Sequence, residues 1–90
     1  MSGWYRFPHD IDVAPRGEGV YILSESASDV GIAYVGRADD LRDRLGQHPD
    51  PSNPCLKRKN ISFFAYEQTP NSESREQELI NRLDPPCNRQ

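Results

Sequence analysis

Gly19-Val20-Tyr21 and Tyr34-Val35-Gly36 set two tyrosines in two short runs of β-branched and aromatic residues, 19–23 and 32–36, joined by the polar stretch 24–31. The pattern reads as a β-hairpin with a loose connection, and it constrains the fold more than any other stretch. Side chains alternate along a strand, so Tyr21 and Leu23 share one face and Val20 and Ile22 the other. In the second strand Ile32, Tyr34 and Gly36 are expected on one side, Ala33 and Val35 on the other. The two phenols then lie side by side. Tyrosine is also a good strand residue with a wet end, so packing alone accounts for either one taken singly.

The segment before the hairpin, residues 1–16, holds Trp4, Tyr5 and Phe7 among Pro8 and Pro15. It is expected to be an irregular lead-in whose aromatics cover part of the core. After Gly36 a helix is predicted from 39 or 40 to 47, with acids suited to its first turn and Pro49 ending it. Leu41 and Leu45 form its apolar stripe, while Asp40, Arg44 and His48 make a second line at four-residue spacing. Asn53-Pro54 suits the cap and start of a short helical turn, and Lys57-Arg58-Lys59 reads either as a solvated face or as a phosphate contact. A third strand over 61–67 puts Phe63 and Ala65 on one side, Phe64 and Tyr66 on the other. A last helix runs from 72 or 74 to 83, with Ser72 or Ser74 as N-cap and Asp84-Pro85-Pro86 as its stop. The expectation is one α+β domain over residues 1–90, with a three-stranded, mostly antiparallel sheet in the order β-β-α-β-α.

Ninety residues, 34% of them hydrophobic, allow one small core and no second domain. In the last helix Leu79, Ile80 and Leu83 define the packing stripe, and Glu76 falls on it at helical intervals. A carboxylate there is costly unless a cation or donors meet it. It is either a rim residue favouring the helix dipole or a group aimed into a cleft. The net charge of −3 does not by itself indicate a nucleic-acid partner, but Arg37, Arg42, Arg44, Lys57, Arg58 and Lys59 gather in the middle third. Cys55 and Cys87 lack metal-spaced partners and are expected to be reduced thiols in a cytoplasmic protein. No apolar run of membrane length or secretory type is present.

Taken together, Gly19-Val20-Tyr21, Tyr34-Val35-Gly36, Arg44, His48, Glu76 and Asn88 resemble, in order and spacing, the motif set of the GIY-YIG endonuclease superfamily. The likeness covers residues 17–88. Residues 34–45 and 76–88, the latter with its Pro-x-x-Asn ending, are similar to the N-terminal nuclease domain of the bacterial excision-repair incision protein. A small stand-alone member is expected. Val20 stands where the motif name has isoleucine, and Arg37 where lysine is common, which keeps the charge and changes the donor geometry.

The resemblance implies metal-dependent hydrolysis of DNA phosphodiesters, leaving a 5′-phosphate and a 3′-hydroxyl. Glu76 would hold one divalent cation, Mg²⁺ or Mn²⁺. Arg44, aided by Arg37, would grip the phosphate. Tyr21 would be the general base, Tyr34 would orient water or phosphate, His48 would accept the proton of Tyr21, and Asn88 would brace the site. A phenol, with a pKa of about 10, is a poor base at neutral pH, so Arg37, Arg44 and the cation are expected to lower it. Residue by residue, simpler roles stand beside these: Arg44 pairing with Asp40, His48 capping its helix, Asn88 turning the chain. Two other classes stay open, a catalytically inactive nucleic-acid-binding module of the same fold and an RNA-directed nuclease. A targeting protein is an expected partner, a membrane is not, and the sequence does not indicate an oligomeric state.

Overall fold

The computed structural model describes residues 1–48 and 53–88. Strands β1 (Tyr5–Arg6), β2 (Gly19–Ser24), β3 (Ile32–Ala38) and β4 (Phe63–Gln68) form one antiparallel sheet in the order β1-β4-β2-β3. Helices α1 (Leu41–Gly46) and α3 (Ser72–Leu83) follow β3 and β4, and a single-turn helix α2 (Pro54–Arg58) precedes β4. The α+β class holds. The sheet, however, has four strands where the sequence predicts three, and the third predicted strand starts at Phe63 instead of 61.

The fourth strand comes from the lead-in. Two residues are too few to show a period, but they meet the free edge of β4, pairing Tyr5 with Phe64 and Arg6 with Phe63. Ser2 and Phe7 extend the pairing through bonds to Tyr66 and Ser62. Tyr5 stacks on Tyr66 and lies tilted against Phe64, with ring centroids 6.1 and 5.7 Å apart, and these contacts hold the segment down. The aromatics of the lead-in do cover the core, Tyr5 and Phe7 on one face and Trp4 on the other.

β2 lies between β4 and β3 with both faces covered, so all six of its residues are buried. On one face Tyr21, Leu23 and Phe64 pack with Leu41, Leu45 and Leu56 of α1 and α2. On the other, Val20, Ile22 and Val35 pack with Leu79, Ile80 and Leu83 of α3. The predicted alternation fails at the start of β3. A bulge between Leu23 and Ser24 pairs Ser24 with Ile32, so Ala33 joins the Tyr21 face and Ile32 the Val20 face. One extra residue inverts everything beyond it.

The ends of α1 and α2 follow local chemistry. Asp40 caps α1 by accepting from the Asp43 N–H, and Asn53 caps α2 by accepting from the Leu56 N–H ahead of Pro54. Pro49, the predicted stop for α1, lies outside the described residues; α1 ends at Gly46 with Gln47 as C-cap. The N-cap of α3 is Asn71, which makes no side-chain cap bond, and neither Ser72 nor Ser74 takes that place. Asp84 closes α3 in the left-handed conformation, its N–H on the Ile80 carbonyl, ahead of the two prolines.

Cys55 and Cys87 form a disulfide, which corrects the reading of both as reduced thiols. They are 32 residues apart in sequence, and only the fold brings α2 against the tail, where Asn53 also donates to the Cys87 carbonyl. The inference of a cytoplasmic location leaned on reduced thiols and loses that support. Among the described residues no helix is long and apolar enough to cross a membrane.

Candidate active site

The site is built around Tyr21, which sits directly across from Gly36 in the β2–β3 ladder. The Tyr21 ring lies over the Gly36 backbone so closely that a β-carbon there would fall 2.5 Å from its Cζ. Only glycine leaves room for the ring. Tyr21 is fully buried, with Tyr34 and His48 flanking it at ring-centroid distances of 6.2 and 5.4 Å. The two phenols stand side by side, as the alternation predicts.

α1 delivers two more groups to the same place. Burial of Leu41 and Leu45 fixes the helix rotation, which brings the Arg44 guanidinium close enough to the Tyr21 phenol to favour its ionised form. His48, just past the end of α1, places Nε2 2.8 Å from the Tyr21 hydroxyl. His48 is therefore not simply a helix cap. Nor is Arg44 the side-chain partner of Asp40, which pairs with Arg16 at 2.8 Å.

Burial, and then the neighbouring Tyr34 phenol, raise the pKa of Tyr21 well above its ordinary value, with Arg44 pulling it down and Glu76 pushing it up. The expectation of a lowered pKa is thus overturned for the chain alone. Losing water at a fully buried phenol outweighs one guanidinium.

Glu76 reaches the site from α3, on the other side of the sheet, by coming around its edge. β3 is an edge strand, and there the Glu76 carboxylate lies near enough to the backbone N–H and guanidinium of Arg37 for both to favour its ionised form. Burial raises the pKa of Glu76; the Arg37 guanidinium opposes that shift, and Glu73 adds to it. Further along the same edge the Asn88 carboxamide stands in for a missing strand. It accepts from the Val35 N–H and donates to the Val35 carbonyl, both at 2.8 Å. Arg37 and Arg44 line one shallow cleft together with Asp39, Asp43 and Gln47.

The residues that the motif resemblance implicates come from five places: Tyr21 from the central strand β2, Tyr34 and Arg37 from the edge strand β3, Arg44 from α1 with His48 just past it, Glu76 from α3, and Asn88 from the turn after α3. Lys57 and Arg58 are exposed on α2, and His9 is exposed in the lead-in.

The GIY-YIG catalytic domain family matches residues 18–89 of this chain. The chain belongs to the GIY-YIG endonuclease family. As a GIY-YIG domain it is similar to two curated proteins named UvrABC system protein C. That of Haloarcula marismortui is 32% identical over 80 residues, covering 82% of this chain and 14% of the relative. That of Finegoldia magna is 34% identical over 61 residues, covering 63% of this chain and 10% of the relative. The chain thus spans about a seventh of those relatives or less. No solved structure is a significant match.

Two features of this GIY-YIG domain escaped the sequence reading. Glu18 and Ser72 meet beside Arg37, and the Cys55–Cys87 bond anchors the turn that carries Asn88. An acid directly before the first motif glycine and a serine at a helix start look like ordinary surface and capping residues, so no linear pattern marks them.

Proposed function

We infer that this domain cleaves DNA phosphodiester bonds by hydrolysis, aided by a divalent cation, and leaves a 5′-phosphate and a 3′-hydroxyl. The observation that carries this reading is the Tyr21 hydroxyl, 2.8 Å from His48 Nε2 and beside the Arg44 guanidinium, with Glu76 close enough to act on it electrostatically.

The raised pKa of Tyr21 decides how the base works. A free phenolate is rare at neutral pH, so Tyr21 serves as a relay: it takes a proton from water while its own proton passes to His48 Nε2. That transfer uses the His48 tautomer protonated at Nδ1. The water oxygen forms the new bond to phosphorus, the bond to the 3′-oxygen breaks, and that oxygen takes up a proton from solvent. Arg44 neutralises the charge growing on the non-bridging oxygens, and Tyr34 orients the attacking water.

Among the described residues no three His, Cys, Asp or Glu side chains gather into a metal cage. The Glu76 carboxylate, raised in pKa by burial, nonetheless suits Mg²⁺ or Mn²⁺ held mainly by water and substrate oxygens. When bound, the cation would neutralise phosphate charge and polarise the phosphorus centre. A lone carboxylate implies weak binding until substrate arrives.

With a net charge of −3, the domain should bind DNA weakly and in a salt-sensitive manner. The relatives are named as protein C of a UvrABC system, and by analogy a targeting protein would select the DNA here. The test is a panel of duplex, flap, fork and single-stranded DNA, and RNA, with and without Mg²⁺ or Mn²⁺. Metal-dependent nicking of DNA, lost in Glu76→Ala and Arg44→Ala with circular dichroism unchanged, is expected. Full cleavage by Glu76→Ala would refute the assignment. DNA binding without turnover would favour the inactive module, and selective RNA cleavage the RNA-directed nuclease.

A further inference from the structure

Arg37 has little to hold it in place on its own strand. Its side chain is 39% exposed, and its Asp39 partner, 3.3 Å away, is 93% exposed, a pairing that water largely screens. Yet the guanidinium stands near enough to Glu76 to oppose the rise in pKa that burial causes there. A long side chain loses entropy when it is held still, so something else must fix it.

The fixing contact comes from α3. Arg37 Nε donates to Ser72 Oγ at 3.1 Å, and the Ser72 hydroxyl donates to Glu18 Oε2 at 2.5 Å. Ser72 is fully buried. A serine hydroxyl has one proton. With that proton committed to the Glu18 carboxylate, the Ser72 oxygen can only accept, and the Arg37 Nε–H is the donor it receives. The Ser72 bond also holds the Glu18 carboxyl below the usual range, so Glu18 stays an acceptor across the neutral range.

Building on the nuclease reading, we propose that Glu18 and Ser72 are positioning residues that hold the Arg37 guanidinium beside Glu76, in the cleft where the phosphate binds. Glu18 also accepts from the Ser72 backbone N–H at 3.4 Å and so caps α3 from a distance. Capping accounts for that contact, but not for the buried hydroxyl relayed onward to Arg37. Held through Nε, and with only the exposed Asp39 carboxylate on Nη2, Arg37 presents the outer end of its guanidinium where substrate oxygens can displace that screened contact, which a lysine could not do with the same fork.

The test is a double-mutant cycle on cleavage of the preferred DNA, with the Arg37 Nε–H NMR signal as a second readout. Ser72→Ala is expected to slow cleavage about tenfold, the scale of one hydrogen bond to a charged group. The same change in an Arg37→Ala background should cost nothing further. Glu18→Gln, whose amide oxygen still accepts from the hydroxyl, should retain most activity, and Glu18→Ala should match Ser72→Ala. In the NMR experiment the Nε–H of Arg37 should be slow to exchange in the wild type and fast in Ser72→Ala. Equal losses from Ser72→Ala with and without Arg37 would mark a purely structural serine and overturn the proposal, as would full activity in Ser72→Ala or unchanged Nε–H protection. If the wild type cleaves nothing, the nuclease reading fails and the Nε–H exchange alone decides the relay.

Discussion

Gly36→Ala tests the packing that organises the site. A β-carbon at position 36 would lie 2.5 Å from Tyr21 Cζ and 2.9 Å from Cε1, against an ordinary carbon contact of about 3.5–4.0 Å. The Tyr21 ring has nowhere to retreat. It is fully buried, with Tyr34 and His48 beside it and its hydroxyl engaged by His48. Overpacking of this kind costs about 1–3 kcal/mol. Replacing a strand glycine by alanine returns roughly 0.5–1 kcal/mol of backbone entropy. The net loss, about 1–2 kcal/mol, corresponds to a fall in Tm of roughly 5–15 °C for a domain of this size. Because the ring must shift, the Tyr21–His48 bond should break and cleavage should be lost as well. The assay is thermal melting by circular dichroism in a cycle with Tyr21→Leu, which removes Cε1, Cζ and the hydroxyl. In that background Gly36→Ala should be neutral or stabilising. An equal loss in both backgrounds would refute the argument that Tyr21 is why position 36 must be glycine.

Glu76→Gln should abolish cleavage while leaving Tm equal or higher, because burial makes the ionised carboxylate unfavourable in the folded chain; a marked drop in Tm would contradict this. The raised pKa of Tyr21 keeps its phenol protonated in the fold. Tyrosinate absorbance at 295 nm should therefore be the same in wild type and Tyr21→Phe at about pH 10. Stability from this phenol is complete below that ordinary value and is lost above it, since only the unfolded chain can then ionise. Asn88→Ala strips both bonds from the Val35 backbone and should cost roughly 1–3 kcal/mol by denaturant titration. Reducing Cys55–Cys87, which closes a loop of 32 residues, should cost about 3–4 kcal/mol, measured as a lower Tm in reductant.

Much of this was legible along the chain because the information was local. The hairpin tyrosines, the Leu41 and Leu45 stripe, the Asn53-Pro54 turn and the placing of Glu76 each follow from a two-residue or four-residue period, or from one capping side chain. The set of site residues was named through the likeness to the GIY-YIG motifs, while the periods fixed only the faces on which Tyr21, Tyr34, Arg44 and Glu76 stand. What failed depended on partners distant in sequence. β1 exists because β4 had a free edge, Ile32 and Ala33 exchange faces because of one bulge, and Cys55 meets Cys87 only once α2 has docked on the tail.

The amino-acid order by itself determined which groups this domain can bring to bear, two phenols, two guanidinium groups, an imidazole and a carboxylate, and on which face of its element each stands. Tertiary structure decided their electrostatic state and their supports: that Tyr21 is buried enough to stay protonated, that Glu76 comes around the β3 edge, and that Glu18 and Ser72 meet Arg37. Burial and proximity belong to the packed molecule and not to any segment of it, and they set the desolvation and the charge interactions on which those properties rest.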